Sequence, residues 1–210
     1  MKITKFGQCC LLVEENGLRI ITDPGNYSTA QNDVKNVDVI LITHEHQDHF
    51  HIESVKKIIA GNPRVKVIAN SAVGALLAKE NIPFTLVADG GQSTEKGVSI
   101  EGMGRDHAII WGDFGKCENT GFMVAGKLFY PGDSFYNPKR PVEILAVPVA
   151  GPWMKISEAI DYLLAVKPKK AFPVHDGMST SSAFVAPMIG RILGDAIKLT
   201  PLEIGKEYEF

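Results

Sequence analysis

Val37-Asp38-Val39-Ile40-Leu41-Ile42-Thr43 runs without a break into His44-Glu45-His46-Gln47-Asp48-His49. Apart from Asp38, the first seven residues make an apolar run rich in β-branched side chains, the composition of a strand buried on both faces. The next six put His44, His46, Asp48 and His49 just past the strand's C-terminal end, where a loop can fold them about one point. All six histidines of the chain lie at 44, 46, 49, 51, 107 and 175, so none is scattered in a tail. A lone loop histidine is ordinarily solvated, but a packed set is poorly explained that way. Neutral imidazole suits zinc, iron or manganese, while carboxylate oxygens satisfy a second, harder centre and can bridge two ions. A His/Asp set free of cysteine fits that purpose.

Working outward, Ile52, Val55, Ile58 and Ile59 recur at helical spacing, and Gly61-Asn62-Pro63 stops that helix. A strand over 65–69 follows. Ser71 is placed to cap a second helix carrying Val73, Leu76 and Leu77, with strands expected at 84–87 and 98–103. Upstream, 11–14 and 18–22 flank Glu15-Asn16-Gly17 as a β-hairpin that ends at Asp23-Pro24-Gly25. In the second half, 121–125 and 128–130 form a hairpin around Gly126-Lys127, and 144–148 is another buried strand. A helix from about Ser157 shows Ile160, Leu163, Leu164 and Val166 on one face and ends before Pro168; strand 171–174 then delivers His175. A last helix is expected over 183–193, broken or entered at Pro187. The mixture predicts an α+β fold, two sheets face to face with helices on their outer sides. No linker or repeat divides residues 1–210, which read as a single domain.

A chain of 210 residues buries a substantial core without disulfides. Its 22 basic and 24 acidic residues leave a formal charge of -2, so no overall field attracts a polyanion; this disfavours nucleic acid and favours a small-molecule substrate. Lys139-Arg140 and Lys167, Lys169 and Lys170 are short clusters typical of solvated faces. Cys9 and Cys10, adjacent in an apolar stretch, read as core residues of a strand, and a bond between them would be strained. Cys117 falls in a loop. Three cysteines without a disulfide framework, no signal-like apolar run and no membrane span suggest a reducing, cytoplasmic setting.

His-x-His-x-Asp-His after a strand and Thr43 resembles the signature of the metallo-beta-lactamase superfamily. Thr22-Asp23-Pro24-Gly25 resembles that superfamily's first motif, His107 falls where the third supplies a histidine, Gly132-Asp133-Ser134 resembles the bridging-aspartate motif, and Pro173-Val174-His175 resembles the last. The resemblance implies a four-layer αββα sandwich and two divalent metal ions, zinc first, with manganese or iron as alternatives. By the same resemblance His44, His46 and His107 hold one ion, Asp48, His49 and His175 the other, and Asp133 bridges them. Phe6-Gly7-Gln8-Cys9, the stretch 146–151 and the stretch 168–175 resemble a branch of small metal-dependent hydrolases that includes ascorbate-phosphate lactonase-like proteins and acyl phosphatidylethanolamine phospholipases. Gln8 stands where that branch often has histidine, and Ala150-Gly151 where it has a Gly-Gly pair. Relatives of this kind are often oligomers, so a homo-oligomer is expected.

Two cations close together lower the pKa of a shared water and polarise the bond under attack, so no nucleophilic side chain is needed. Asp48, able both to ligate and to orient that water, is the first candidate for a catalytic role. Asp23 is either a partner to a ligand histidine or an Asp-Pro-Gly turn former. His51, at a helix entrance, reads as a surface residue, and Arg105 with Asp106 as a solvated pair. Tyr136, Trp153 and Met154 follow site strands and either line a pocket or simply pack. The expected activity is hydrolysis of a small ester, lactone or phosphodiester. The alternatives are a nuclease or phosphodiesterase acting on nucleic acid, or a non-hydrolytic iron redox or sensor protein, for which glutamate in place of His46 and an attached flavin domain would be expected.

Overall fold

The computed structural model describes residues 1–177 and 182–210. Along the first half run β1 (Lys2–Gly7), β2 (Cys10–Glu15), β3 (Leu18–Thr22), β4 (Val39–Ile42), α1 (Ile52–Gly61), β5 (Lys66–Ala69), α2 (Ser71–Lys79) and β6 (Thr85–Leu86). The second half adds β7 (Gln92–Glu95), β8 (Val98–Met103), β9 (Gly121–Val124), β10 (Leu128–Tyr130), β11 (Ile144–Pro148), α3 (Ile156–Val166), β12 (Lys170–Val174), α4 (Ser182–Leu193), β13 (Lys198–Leu199) and β14 (Glu207–Glu209). The strands form two seven-stranded sheets, ordered β14-β1-β2-β3-β4-β5-β6 and β13-β12-β11-β10-β9-β8-β7.

Strand β4 shows how the layers arise. Its residues alternate between the two faces of the sheet. Val39 and Leu41 enter the core between the sheets, with Ile3, Leu11, Ile20, Phe122, Val124, Ile144 and Phe172. Ile40 and Ile42 point the other way, where α1 and α2 bring Val55, Ile58, Val73 and Leu77. The second sheet repeats this, with Met123, Phe129, Leu145 and Val147 meeting Ala159 and Leu163 of α3 and Ile189 of α4. The layers are therefore helix, sheet, sheet, helix, as expected for the metallo-beta-lactamase fold. Full burial of each such side chain stabilises by about 1.5–3 kcal/mol.

Strands β3 to β6 run parallel, as do β10 to β13. Their C-terminal ends therefore line up along one edge of each sheet, the edge where open α/β sheets bind ligands. Asp23 follows β3, His44 follows β4, Asn70 follows β5, Asp133 follows β10 and His175 follows β12.

Some local expectations change. The cap of α2 is Asn70 rather than Ser71: the Asn70 Oδ1 accepts from the Val73 amide at 3.0 Å, while the Ser71 hydroxyl donates to Glu118 at 2.5 Å. Pro187 neither breaks nor opens the last helix, because α4 continues through it. The lost backbone bond is outweighed by burial of Ala186, Ile189 and Leu193. The strand expected over 84–87 shrinks to the two exposed residues of β6. Cys9 lies in the turn between β1 and β2 rather than in a strand.

Asn70 is fully buried and also donates through Nδ2 to the carbonyls of Thr43, at 2.9 Å, and Glu118, at 3.2 Å. Asn70→Ala removes a cap and both Nδ2 donations, leaving Thr43 with only the Thr120 amide as donor, so denaturant unfolding should show a loss of about 2–3 kcal/mol. Asn70→Asp, which keeps the cap and loses the donors, should also be destabilised, which separates the tie to Thr43 from the cap.

Candidate metal centre

The loop from His44 to Phe50 is held by its own backbone and by the turn after β3. The amides of His49 and Phe50 donate to the His46 carbonyl at 2.9 and 2.7 Å, and the Asn26 amide donates to the Gln47 carbonyl at 2.9 Å. Gly25 lets the two segments touch, since a Cβ there would lie 1.9 Å from the Asp48 carbonyl oxygen. On the other sheet Gly132, at φ +65°, approaches Asn119 Oδ1 and Thr43 so closely that a Cβ would lie 2.3 Å from the former. Asn119 Oδ1 in turn accepts from the Asp133 amide at 3.1 Å. These close approaches fix where His49 and Asp133 stand.

The seven residues singled out in the sequence come together from the two sheets. Ligand-type atoms of His44, His46, His107 and Asp133 lie within 4.8 Å of one another, and so do those of Cys9, His49, Asp133 and His175. Asp133 belongs to both sets. Its Oδ1 lies 3.1 Å from His49 Nε2, and its Oδ2 lies 2.9 Å from His175 Nε2 and 3.3 Å from His107 Nε2. Asp48 flanks the second set, with Oδ2 3.2 Å from His175 Nε2 and 3.5 Å from His49 Nε2. His51 stands apart and pairs with Ser54 Oγ at 3.0 Å. Arg105 is exposed and pairs with Asp89 at 3.1 Å.

The ring nitrogens are oriented from behind. Thr43 Oγ1 donates to Asp23 Oδ2 at 2.7 Å and lies 3.0 Å from His44 Nδ1, so the hydroxyl is free to accept the Nδ1 proton. His49 Nδ1 lies 2.7 Å from Asp23 Oδ2, and His107 Nδ1 lies 2.5 Å from the Ala108 carbonyl. With Nδ1–H engaged, each Nε2 lone pair faces the cluster, the arrangement in which a carboxylate or carbonyl orients a ligand histidine. The Nε2 atoms of His44, His49 and His175 and Asp133 Oδ1 are buried and lack hydrogen-bond partners. They crowd together without hydrogen-bond alignment, as donors aimed at a shared cation do. The donor set therefore fits a pair of metal ions.

Protonation follows the same crowding. Burial, reinforced by His49, holds His44 well below its ordinary pKa, and burial together with His107 lowers His46. For His49 and His175 burial also acts downward but is outweighed, by Asp133 and then Cys9 for His49, and by Cys9 and then Asp133 for His175, which rises to about 10. Burial raises the carboxyls of Asp48 and Asp133, yet His175, 3.2 Å away, and then the charge of His49 leave Asp48 low, and His49 and His175 leave Asp133 low.

The model of the Beta-lactamase superfamily domain matches residues 2–175, which carry every one of these residues. The chain belongs to that superfamily. This superfamily member is 35% identical over 192 residues to Protein Rv0786c of Mycobacterium tuberculosis, covering 89% of this chain and 86% of that one. It is 32% identical over 223 residues to a UPF0173 metal-dependent hydrolase of Carboxydothermus hydrogenoformans, covering 95% and 96% of the two. Among solved structures, Igni18, a metallo hydrolase of Ignicoccus hospitalis, shares the fold with a TM-score of 0.79 at 20% identity, covering 100% of this chain and 98% of that one.

In this beta-lactamase superfamily chain a cleft of about 110 Å³ opens onto the cluster, lined by His46, Asp48, His107, Asp133 and His175 together with Tyr27, Ile110, Pro152 and Trp153. Trp153 donates from Nε1 to Asp133 Oδ2 at 2.9 Å, so it both walls the cleft and steadies the shared carboxylate. Met154 packs against the core beneath α3, and Tyr136 lines other surface clefts. Two site neighbours went unread in the sequence. Gln8 donates to Asp48 Oδ2 at 2.9 Å and accepts from the Gly177 amide at 2.8 Å; Cys9 joins the second converging set. No spacing rule marks either, though both lie in the Phe6-Gly7-Gln8-Cys9 stretch already noted.

Asp23 is fully buried behind His49, as the partner-to-a-ligand reading requires, and its backbone also makes the turn. Asp23→Ala should lower metal affinity about 10- to 100-fold, read as metal content after dialysis against a mild chelator. Raised histidine pKa values stabilise the metal-free fold below the unfolded value of about 6.5, and that stabilisation is lost as pH rises toward the folded value of about 10 for His175. Denaturant melts of chelator-treated protein should therefore show stability falling across this window. Metal affinity should rise over the same range, since the ion replaces the ring protons.

Proposed function

We propose that this chain is a metal-dependent hydrolase that binds two divalent ions, zinc first among them, and uses activated water to cleave a small ester, lactone or phosphodiester. The observation that carries this reading is the Asp133 carboxylate, whose two oxygens serve both converging donor sets. In it, His44, His46 and His107 would hold one ion and His49 and His175 the other, with Asp133 available to both. The naming of the Carboxydothermus hydrogenoformans relative, similar over nearly the full length of both chains, supports a metal-dependent hydrolase.

When bound, such ions would supply an acidified water and polarise the bond under attack. The protein's residues do the rest. Asp48, ionised and held by the Gln8 amide, borders the cleft where it can accept a hydrogen bond from the attacking water and orient it. Trp153 and Pro152 close one wall and limit the water that reaches the reacting group. A cleft of about 110 Å³ admits a compact group such as a lactone carbonyl or a phosphoryl unit, about the space of a few waters. The remainder of the substrate would extend toward the loop bearing Ile109, Trp111 and Phe114, which are 62%, 82% and 72% exposed.

Metal analysis of the purified protein should find two ions per chain. His46→Ala and Asp133→Ala should each lose metal and cut turnover by at least about 100-fold, more than the loss of a residue that only orients a ligand. Lactones, phosphodiesters and short RNAs assayed with zinc and with manganese identify the bond attacked. If both variants kept metal and full activity, the reading would fail.

A further inference from the structure

Cys9 is 1% exposed and sits in the turn Gly7-Gln8-Cys9 between β1 and β2, where Gln8 adopts φ 46°. Both sheets fix its backbone. Its carbonyl accepts from the Thr22 hydroxyl at 3.0 Å, and the Tyr130 hydroxyl lies 2.8 Å away. The sulfur is thereby placed with the donor atoms of His49, Asp133 and His175, all four within 4.8 Å of one another. A buried cysteine is by itself ordinary packing, and Cys9 does border the core beside Tyr130 and Val174. Cys10 shows that plain case, since it is enclosed among Leu12, Ile21 and Phe50 on the helix side of the sheet. Cys9 differs because the polar atoms around its sulfur are themselves unpartnered. His49 Nε2, His175 Nε2 and Asp133 Oδ1 are buried without hydrogen bonds. Asp48, the fourth donor suggested by the family resemblance, is outside this converging set, and its Oδ2 accepts from Gln8 Nε2.

We infer that the Cys9 sulfur is a ligand of the second metal ion, completing a four-donor set with His49, His175 and Asp133. The inference rests on the two-ion reading above. One sulfur, two imidazole nitrogens and one carboxylate oxygen are a tetrahedral zinc set, and the observed spacing needs only modest contraction to the edges of roughly 3.5 Å in such a shell. On binding, the sulfur–hydrogen bond is exchanged for a sulfur–metal bond and the proton leaves to solvent, with no change of oxidation state. Two consequences follow. A soft donor makes this position select zinc, cobalt or cadmium over magnesium and manganese. Asp48 is left free of the ion, with its carboxylate available to the water in the cleft.

Cobalt(II) titrated into the metal-free full chain provides the test. Two equivalents should bind, with a near-ultraviolet thiolate-to-cobalt charge-transfer band. Cys9→Ser should abolish the band and weaken the second equivalent at least tenfold. Cys117→Ser should keep the band, although Cys117 Sγ lies 3.8 Å from His46 Nε2. The cadmium-113 spectrum of the unsubstituted protein, with one resonance shifted downfield by sulfur, supplies the same evidence should Cys9→Ser fail to fold. Two bound ions with no band and no such resonance overturn the sulfur ligand and leave the two-ion reading standing, as does a band that survives Cys9→Ser or disappears in Cys117→Ser. A single bound ion carrying the band keeps Cys9 as a ligand and overturns the two-ion reading. A single ion without the band overturns both.

Discussion

The carboxylate of Asp23 is fully buried, and four donors surround it: the Thr43 amide at 2.8 Å, the Thr43 hydroxyl at 2.7 Å, His49 Nδ1 at 2.7 Å and the Tyr130 hydroxyl at 2.7 Å. Burying an ionised group without partners costs many kcal/mol, so these positions are not free to drift. Thr43 follows β4, His49 lies in the histidine loop, and Tyr130 comes from the opposite sheet. One side chain therefore ties together the two sheets, the entry angle of the histidine loop and the ring orientations of His49 and, through Thr43, His44. Tyr130 has a single proton to share between Asp23 and the Cys9 carbonyl, which joins the turn after β1 to the same network.

Backbone conformation around the centre shows the strain such a site holds. Gln8, Asp23 and His175 have φ of 46°, 37° and 57°, values that residues other than glycine adopt infrequently. Each costs on the order of 1–3 kcal/mol and persists only where its surroundings over-determine it. Here they do. The His175 amide donates to the Gln8 carbonyl at 3.2 Å, and the Lys5 ammonium, 2% exposed, holds Asp176 at 2.5 Å and the Pro173 carbonyl at 3.0 Å. The end of β12 is thus tied to β1 on the facing sheet.

How much of this was legible in the sequence depends on how local each signal is. Strands buried on both faces, such as β4, β11 and β12, announce themselves as unbroken apolar runs, and the residue after each is then known to stand at a sheet edge. Two facing sheets, the cluster from His44 to His49 and the place of His175 followed from that, while the four-layer order and the roles of His107 and Asp133 came from the family resemblance. Strand β7, reading Gln-Ser-Thr-Glu, and the short β13 and β14 were missed because edge strands carry polar residues and no apolar period. Asn70 was passed over for Ser71 because either can cap a helix, and what decides between them is the Thr43 carbonyl 27 residues upstream. The site contacts of Cys9 and Gln8 are hidden for the same reason, since their partners there are 40 or more residues away, and the choice between pocket and packing for Trp153 turns on Asp133, 20 residues back in the loop after β10.

That separation along the chain bears on what a bound metal would do to the molecule. The converging side chains come from segments near residues 9, 44–49, 107, 133 and 175, two of them on the first sheet and three on the second. In the two-ion reading each ion would close a loop of more than sixty residues, as a reversible cross-link between the halves of the sandwich. Because these side chains converge only in the folded chain, such a link would favour the folded state by an amount that grows with the supply of free metal through mass action. The resistance of this fold to unfolding would then be a property of the metal concentration around it as much as of its packed core.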